Sequence, residues 1–163
     1  MELGMIGLGR MGSNMTRRLI RGGHHVYVND VNLAASDALA ECGAHVMIDP
    51  ADMCARLPSP RVIWMMLPVG RIDLVLSEIL PYLAPGDIIV DGGNAFYQDT
   101  QARARQCCTS ARAASPVIHW LWPLGSAVKP SSEAAVLSRT HGRPCCMRCK
   151  NRTLRRFVRG RKT

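Results

Sequence analysis

The chain has 163 residues, which is enough for one domain with a hydrophobic core and too few for two full domains. Its formal net charge of +9 is by itself typical of proteins that bind nucleic acid or an anionic membrane surface. The sequence contains no apolar run of about eighteen residues and no basic-then-apolar leader, so we expect a cytoplasmic protein without membrane spans.

The positive charge is confined to the second part of the chain. Residues 1–100 contain seven arginines, no lysine and eleven acidic residues, a net charge of −4, whereas residues 101–163 carry +13. Five of the seven cysteines also lie in the second part. We therefore predict an ordered domain over residues 1–100, followed by a basic tail rich in Cys and Arg over residues 101–163.

The first hundred residues alternate short apolar runs with amphipathic stretches, as expected for βαβ units and a parallel sheet. Strands are predicted at residues 3–6, 25–29, 44–47, 62–66 and 87–91. Helices are predicted between them: one that ends at Gly22-Gly23, and others at residues 32–42, 51–56 and 70–80. The predicted fold class is α/β, a Rossmann-type doubly wound parallel sheet. With five strands this sheet is incomplete, and its exposed apolar edge predicts aggregation.

A glycine motif, Gly7-Leu8-Gly9-Arg10-Met11-Gly12, lies between the first strand and the first helix. In a dinucleotide-binding turn, the first glycine permits the tight turn and the second lets the backbone approach a pyrophosphate. The third glycine lets the helix pack closely on the strand. Because free amides at a helix start bind anions, we assign all six residues to cofactor binding.

An acidic residue, Asp30, follows the second strand eighteen residues after Gly12. An acid at about this spacing bonds the ribose hydroxyls of the adenosine half of NAD and repels the 2′-phosphate of NADP. Val31 and Asn32 supply no cation that would neutralise such a phosphate, so we predict NAD in preference to NADP. The alternative is that Asp30 only caps the second helix.

Three segments together resemble the 6-phosphogluconate dehydrogenase family, within the wider group of β-hydroxyacid dehydrogenases. They are residues 6–14, the Met66-Leu67-Pro68-Val69-Gly70 segment, and residues 87–94 running into Tyr97-Gln98-Asp99-Thr100. The Asp91-Gly92-Gly93-Asn94 sequence at a strand end is the most distinctive of these. The resemblance covers residues 1–100 and none of the rest.

The resemblance implies roles for residues outside the glycine motif. Leu67, Pro68 and Val69 match the segment that lies along the nicotinamide side of the cofactor, and Asn94 matches an asparagine that reaches both cofactor and substrate. NADP-using members carry Asn-Arg-Thr where this chain has residues 30–32, and many members have Lys where this chain has Pro68. The chain therefore looks like the short NAD-preferring branch.

The family reaction is the oxidative decarboxylation of 6-phosphogluconate to ribulose 5-phosphate, and full-length members are oligomers. Its general-base lysine and general-acid glutamate lie well past position 100 in those members, and neither motif occurs here. Lys129 and Glu133 do not match the lysine motif, so we assign no catalytic residue and no metal ligand. We expect the chain alone to be inactive. Alternatives are a fragment of another β-hydroxyacid dehydrogenase, or a small dinucleotide- or nucleic-acid-binding protein with a genuine tail.

Residues 101–163 have three competing interpretations. The abrupt change of composition favours an out-of-frame translation, which we expect to be disordered. The ligand types of His141, Cys145, Cys146 and Cys149 instead suggest a metal site, although a lone Cys-x-x-Cys spacing is weak evidence. The many basic residues from position 148 to 162 suggest a nucleic-acid-binding arm, but such a tail binds polyanions without specificity.

Overall fold

The computed structural model describes residues 1–96 and 98–103 and, beyond them, the backbone of three short strands. The main sheet has six parallel strands in the order β3-β2-β1-β4-β5-β6. This is the doubly wound order of dinucleotide-binding folds. The predicted fold class is confirmed. The strands are β1 (Glu2–Ile6), β2 (His25–Asn29), β3 (His45–Val46), β4 (Val62–Met65), β5 (Ile88–Asp91) and β6 (Val117–His119).

Helices connect the strands and cover both faces of the sheet. The predicted positions of the first four helices are confirmed to within a few residues at each end. They are α1 (Arg10–Arg21), α2 (Leu33–Ala40), α3 (Pro50–Arg56), α4 (Val69–Ile79), a 3-10 turn at Leu80–Tyr82, and α5 over residues 98–103.

The uninterrupted apolar runs of the central strands reflect burial on both faces. In β4, Ile63 and Met65 pack in the core cluster that also contains the buried side chains of α3 and α4. Trp64, between them, points to the opposite cluster, which Leu39 of α2 and the partly buried Leu19 of α1 complete. Strict alternation between these two cores fixes the register of the strand.

The amino ends of β4 and β5 are joined by a buried ion pair. Asp87 is fully buried, and its carboxylate accepts hydrogen bonds from the Arg61 amide and guanidinium, both at 2.7 Å, and from the Ala84 amide at 2.9 Å. Arg61 Nε also donates to the Cys54 carbonyl at 2.7 Å. This cluster lies at the end of the sheet away from the carboxyl ends of the strands.

One expectation about the second region needs correction. The sheet has a sixth strand, because β6 pairs in parallel with β5. A strand of three residues is too short to show a two-residue period in the sequence. Leu137–Thr140 (β7) and Arg143–Cys146 (β8) form an antiparallel pair. Helix α5 spans position 100.

Among the residues that the structure describes, no helix has the length and apolar character needed to cross a bilayer.

Candidate functional site

A cleft of about 770 Å³ opens at the carboxyl ends of the parallel strands. It lies where β1 and β4 diverge to opposite halves of the sheet, the crevice in which doubly wound folds bind ligands. Nine of the eleven residues predicted to bind the cofactor line it: Gly7, Gly9, Arg10, Met11, Gly12, Asp30, Leu67, Pro68 and Asn94. The other two, Leu8 and Val69, are not among its lining residues, and the Leu8 side chain is buried in the core.

The structural reason for a glycine differs among the three motif positions. Gly7 has a φ of +93°, and a Cβ there would lie 2.5 Å from the Met66 carbonyl oxygen. A Cβ on Gly12 would overlap the Gly7 carbonyl oxygen, so the third glycine allows α1 to approach β1. A Cβ on Gly9 would meet no atom of the described residues within 4 Å. Packing within this part of the chain therefore does not require glycine at position 9.

Helix α1 begins at the cleft with its amide groups available. Gly9 is the N-cap, no described side chain caps the helix, and the first turn contains no acidic residue. The Ser13 amide donates to the Gly9 carbonyl at 3.0 Å, and the Ser13 hydroxyl donates to the Leu8 carbonyl. The amides before Ser13 have no carbonyl partner within the helix and carry the positive end of its dipole. This arrangement favours an anion at the helix start.

Asp30 connects the glycine turn to the end of β2. Its Oδ2 accepts a hydrogen bond from the Leu8 amide at 2.5 Å, and its Oδ1 accepts one from the Asn32 amide at 2.8 Å. The N-cap of α2 is Asn32, so the alternative that Asp30 caps this helix is wrong. A carboxylate oxygen has two lone pairs, so each oxygen can accept a further hydrogen bond from a ligand in the cleft.

The loop after β3 also lines the cleft, a contribution that the sequence analysis missed. Ile48, Asp49 and Pro50 face the cleft beside Asp30, and the Ile48 residue is 85% exposed. Asn29 holds this loop in place, because its side-chain amide donates to the carbonyls of residues 47 and 48 at 3.1 Å each. Applying the carboxyl-end rule to the third strand would have identified these residues from the sequence.

Charged residues of both signs line the cleft. Arg10 and Arg71 supply two positive charges, whereas Asp30, Asp49 and Glu78 supply three negative ones. Asp30 and Asp49 follow the paired strands β2 and β3, so both acids line the same end of the cleft. The remaining lining residues missed by the sequence analysis are Ile6, Asn29, Val31, Met66, Val75, Gly92 and Gly93.

The opposite end of the cleft is formed by the turn after β5. A Cβ on Gly93 would lie 2.6 Å from the Leu67 carbonyl oxygen, and one on Gly92 would overlap the Trp64 indole nitrogen. These glycines allow the turn to pack directly against the end of β4. Asn94, the next residue, is exposed at the cleft.

A buried polar cluster lies behind this turn. Asp91 is fully buried and accepts hydrogen bonds from the Gly93 amide at 3.2 Å and the Thr100 hydroxyl at 3.0 Å. Arg103 is 6% exposed, donates to both carboxylate oxygens of Asp73 at 2.5 and 3.1 Å, and has Nη1 3.7 Å from Asp91 Oδ2. Hydrogen bonding from Arg103 holds the pKa of Asp73 below its usual value, against the opposing effect of burial.

Within residues 1–96 and 98–103, no three His, Cys, Asp or Glu side chains are grouped to hold a metal ion. The side chains of the suggested site at His141, Cys145, Cys146 and Cys149 lie outside the described residues.

Comparison with known proteins identifies relatives of this domain. Residues 2–114 match the family model described as the NAD binding domain of 6-phosphogluconate dehydrogenase. The match extends past residue 100, so the expectation that the resemblance ends there is also corrected.

Two relatives are NAD(+)-dependent, decarboxylating 6-phosphogluconate dehydrogenases by name. The Haloferax volcanii protein is 39% identical over 108 residues, and the alignment covers 66% of this chain and 36% of the relative. The Bacillus subtilis protein is 35% identical over 107 residues, covering 63% and 23%. The chain thus spans about a third or less of the length of these relatives.

The fold also matches that of a solved 6-phosphogluconate dehydrogenase from Plasmodium falciparum, a structure that includes a complex with NADP⁺. The TM-score is 0.62 at 22% identity, and the match covers 74% of this chain and 27% of that one.

Proposed function

The chain belongs to the family of the NAD-binding domain of 6-phosphogluconate dehydrogenase, and from that premise we propose that its cleft binds a nicotinamide dinucleotide with NAD preferred to NADP. The observation that carries this proposal is the empty space around Gly9 at the start of α1. No contact with the described residues explains a glycine there, whereas the close approach of a pyrophosphate does.

The shape of the cleft fits an extended dinucleotide. The ends of β2 and β5 are three strand spacings apart in the sheet, roughly 14 Å. The amides at the start of α1 lie between these ends and would bind the pyrophosphate. On this proposal the adenosine half lies toward Asp30 and the nicotinamide half toward Leu67, Pro68 and Asn94. When bound, the nicotinamide supplies the hydride acceptor.

The proposed preference for NAD rests on charge at the adenosine end. Asp30 and Asp49 both line this part of the cleft, and a dianionic phosphate beside two carboxylates is repelled. Val31, which is 88% exposed, contributes no cation. The Haloferax volcanii relative is NAD(+)-dependent by name, which agrees with this proposal.

We propose further that the chain is the cofactor-binding part of an enzyme that oxidises a sugar-acid phosphate, 6-phosphogluconate in the family it resembles. Asn94, exposed beside the nicotinamide end, is then the residue of this domain that contacts substrate. The sequence motifs that carry the family's general base and general acid have no match here. We therefore propose that this chain alone binds the cofactor without turning over substrate.

Titration of the purified chain with NADH and NADPH, followed by nicotinamide fluorescence, tests the proposal. We expect tighter binding of NADH. Val31→Arg should raise the affinity for NADPH about tenfold, the effect of one charge-assisted hydrogen bond to the 2′-phosphate. Leu33→Arg is the matched control, because Leu33 is 70% exposed but does not line the cleft, and it should leave both affinities unchanged.

Two results would contradict the proposal in different ways. A wild-type chain that prefers NADPH refutes the role given to Asp30. A folded chain that binds neither nucleotide refutes the cofactor assignment itself.

A further inference from the structure

We propose that Arg103 is a positioning residue for the nicotinamide end of the cleft, acting through Asp91 on the Gly92-Gly93-Asn94 turn. The proposal rests on the proposed function, because it assigns the turn after β5 to the nicotinamide half of the cofactor. Arg103 itself does not line the cleft. Its effect is transmitted by the buried cluster behind the turn.

In the first step, Asp91 restrains the turn through a hydrogen bond. Asp91 is the last residue of β5, and one of its carboxylate oxygens accepts from the Gly93 amide at 3.2 Å. Gly93 is packed against the Leu67 carbonyl, so the backbone cannot move toward β4. The hydrogen bond from the Gly93 amide to Asp91 is a second restraint on the same residue. Asn94 therefore projects from a turn that is fixed by packing and by a buried carboxylate.

The second step is the charge balance of Asp91. Its described hydrogen-bond donors, the Gly93 amide and the Thr100 hydroxyl, are both neutral. A fully buried carboxylate with neutral donors alone pays a large desolvation cost, and a nearby cation reduces that cost. Arg103 is the cation, with Nη1 3.7 Å from Asp91 Oδ2. Its Nε and Nη2 each donate to a carboxylate oxygen of Asp73, which holds the guanidinium between α4 and the end of β5.

The same strand provides a matched control at its other end. Asp87 and Arg61 form a buried ion pair just before β5, with the same residue types and comparable burial. Neither residue lines the cleft. Loss of Arg61 should destabilise the domain without disturbing the turn that carries Asn94.

The experiment compares binding of NADH and ADP-ribose to the full chain. ADP-ribose has the adenosine and pyrophosphate groups but lacks the nicotinamide. Arg103→Gln should weaken NADH binding about tenfold while ADP-ribose binding changes by less than about twofold. Thr100→Val removes one donor to Asp91 with little change of volume and should lower NADH affinity in the same direction by about threefold. Arg61→Gln should lower the melting temperature but leave the ratio of the two affinities unchanged.

Each result supports or overturns the inference. A selective loss of NADH affinity in Arg103→Gln, or in Thr100→Val if Arg103→Gln does not fold, supports it. Equal changes for both ligands, or the same selectivity in Arg61→Gln, overturn it while leaving the proposed function intact. If the folded wild-type chain binds neither ligand, the proposed function fails and the inference fails with it.

Discussion

Replacing Gly9 with alanine separates what the protein needs at the glycine turn from what a bound dinucleotide needs. Gly9 has φ −59° and ψ −173°, a conformation that alanine adopts readily, and its Cβ would meet no atom within 4 Å. Alanine has fewer unfolded conformations than glycine. We therefore expect Gly9→Ala to leave the free energy of unfolding unchanged or to raise it by about 0.4–1 kcal/mol.

The same methyl group should interfere with the cofactor. If the pyrophosphate approaches the backbone at Gly9, the added Cβ occupies its space, and overpacking of this kind costs about 1–3 kcal/mol. That cost corresponds to a loss of NADH affinity of roughly 5- to 150-fold. Binding would thus fall while stability does not.

The two other motif glycines should behave in the opposite way. Gly12→Ala drives a methyl group into the Gly7 carbonyl oxygen, at a cost of about 1–3 kcal/mol. Gly7→Ala adds the strain of a positive φ, about 1–2 kcal/mol more. For a domain of about this size, each kilocalorie lowers the melting temperature by roughly 4–8 °C.

Thermal melts followed by circular dichroism, together with NADH titration of the folded variants, give the two readouts. The expected pattern is a stable Gly9→Ala chain with weakened binding, and destabilised Gly12→Ala and Gly7→Ala chains. Unchanged NADH affinity in Gly9→Ala would refute the placement of the pyrophosphate. A melting temperature as low as that of Gly12→Ala would refute the steric reading of the turn.

Three further predictions concern the described domain and its continuation. Because the pKa of Asp73 is lowered by Arg103, the pair stabilises the fold above the usual pKa of about 3.9 and loses this effect as the pH falls through the lowered value. Asp73→Asn should therefore melt slightly below wild type at pH 7 and together with it at pH 2, since Asp73 is exposed and the pair is screened; an equal gap at both values contradicts this. Burial raises the pKa of the Cys54 thiol to about 11, so iodoacetamide at pH 8 should modify the exposed Cys42 in the folded chain and Cys54 only after unfolding, as peptide mass spectrometry can establish. Equal labelling of both cysteines in the folded chain would be the contrary result. Finally, if the tail is out of frame, the coding DNA beyond codon 100 should encode the family's lysine motif in one of the other two frames, and its absence from both refutes the frame change.

The order of strands and helices in the first hundred residues was predictable because each element has a strong local signal. Apolar runs such as residues 62–66 mark strands buried on both faces, and the glycine motif marks the start of α1. Nine of the eleven residues assigned to cofactor binding line the cleft for the same reason. Leu8 was included as part of the glycine motif and Val69 through the family resemblance, although the Leu8 side chain is buried in the core.

Features that depend on contacts between distant segments were not predictable in this way. The loop at Ile48-Asp49-Pro50 reaches the cleft because β3 pairs with β2. A strand of two residues has no sequence pattern from which this pairing could be predicted. The role of Arg103 depends on partners at positions 73 and 91, far away in the sequence. Charge counting placed this arginine in the basic tail, whereas three-dimensional contacts place it in the domain.

Strand β5 is anchored at each extremity by an aspartate buried against an arginine from elsewhere in the chain. The second of these anchors comes from position 103, so a shorter gene product that stopped at codon 100 would keep every recognisable motif and still lose a countercharge. Its Asp91 would then be a buried carboxylate with only neutral described hydrogen-bond donors. We therefore expect this domain to need residues beyond its last sequence motif, because a charge in its interior depends on them.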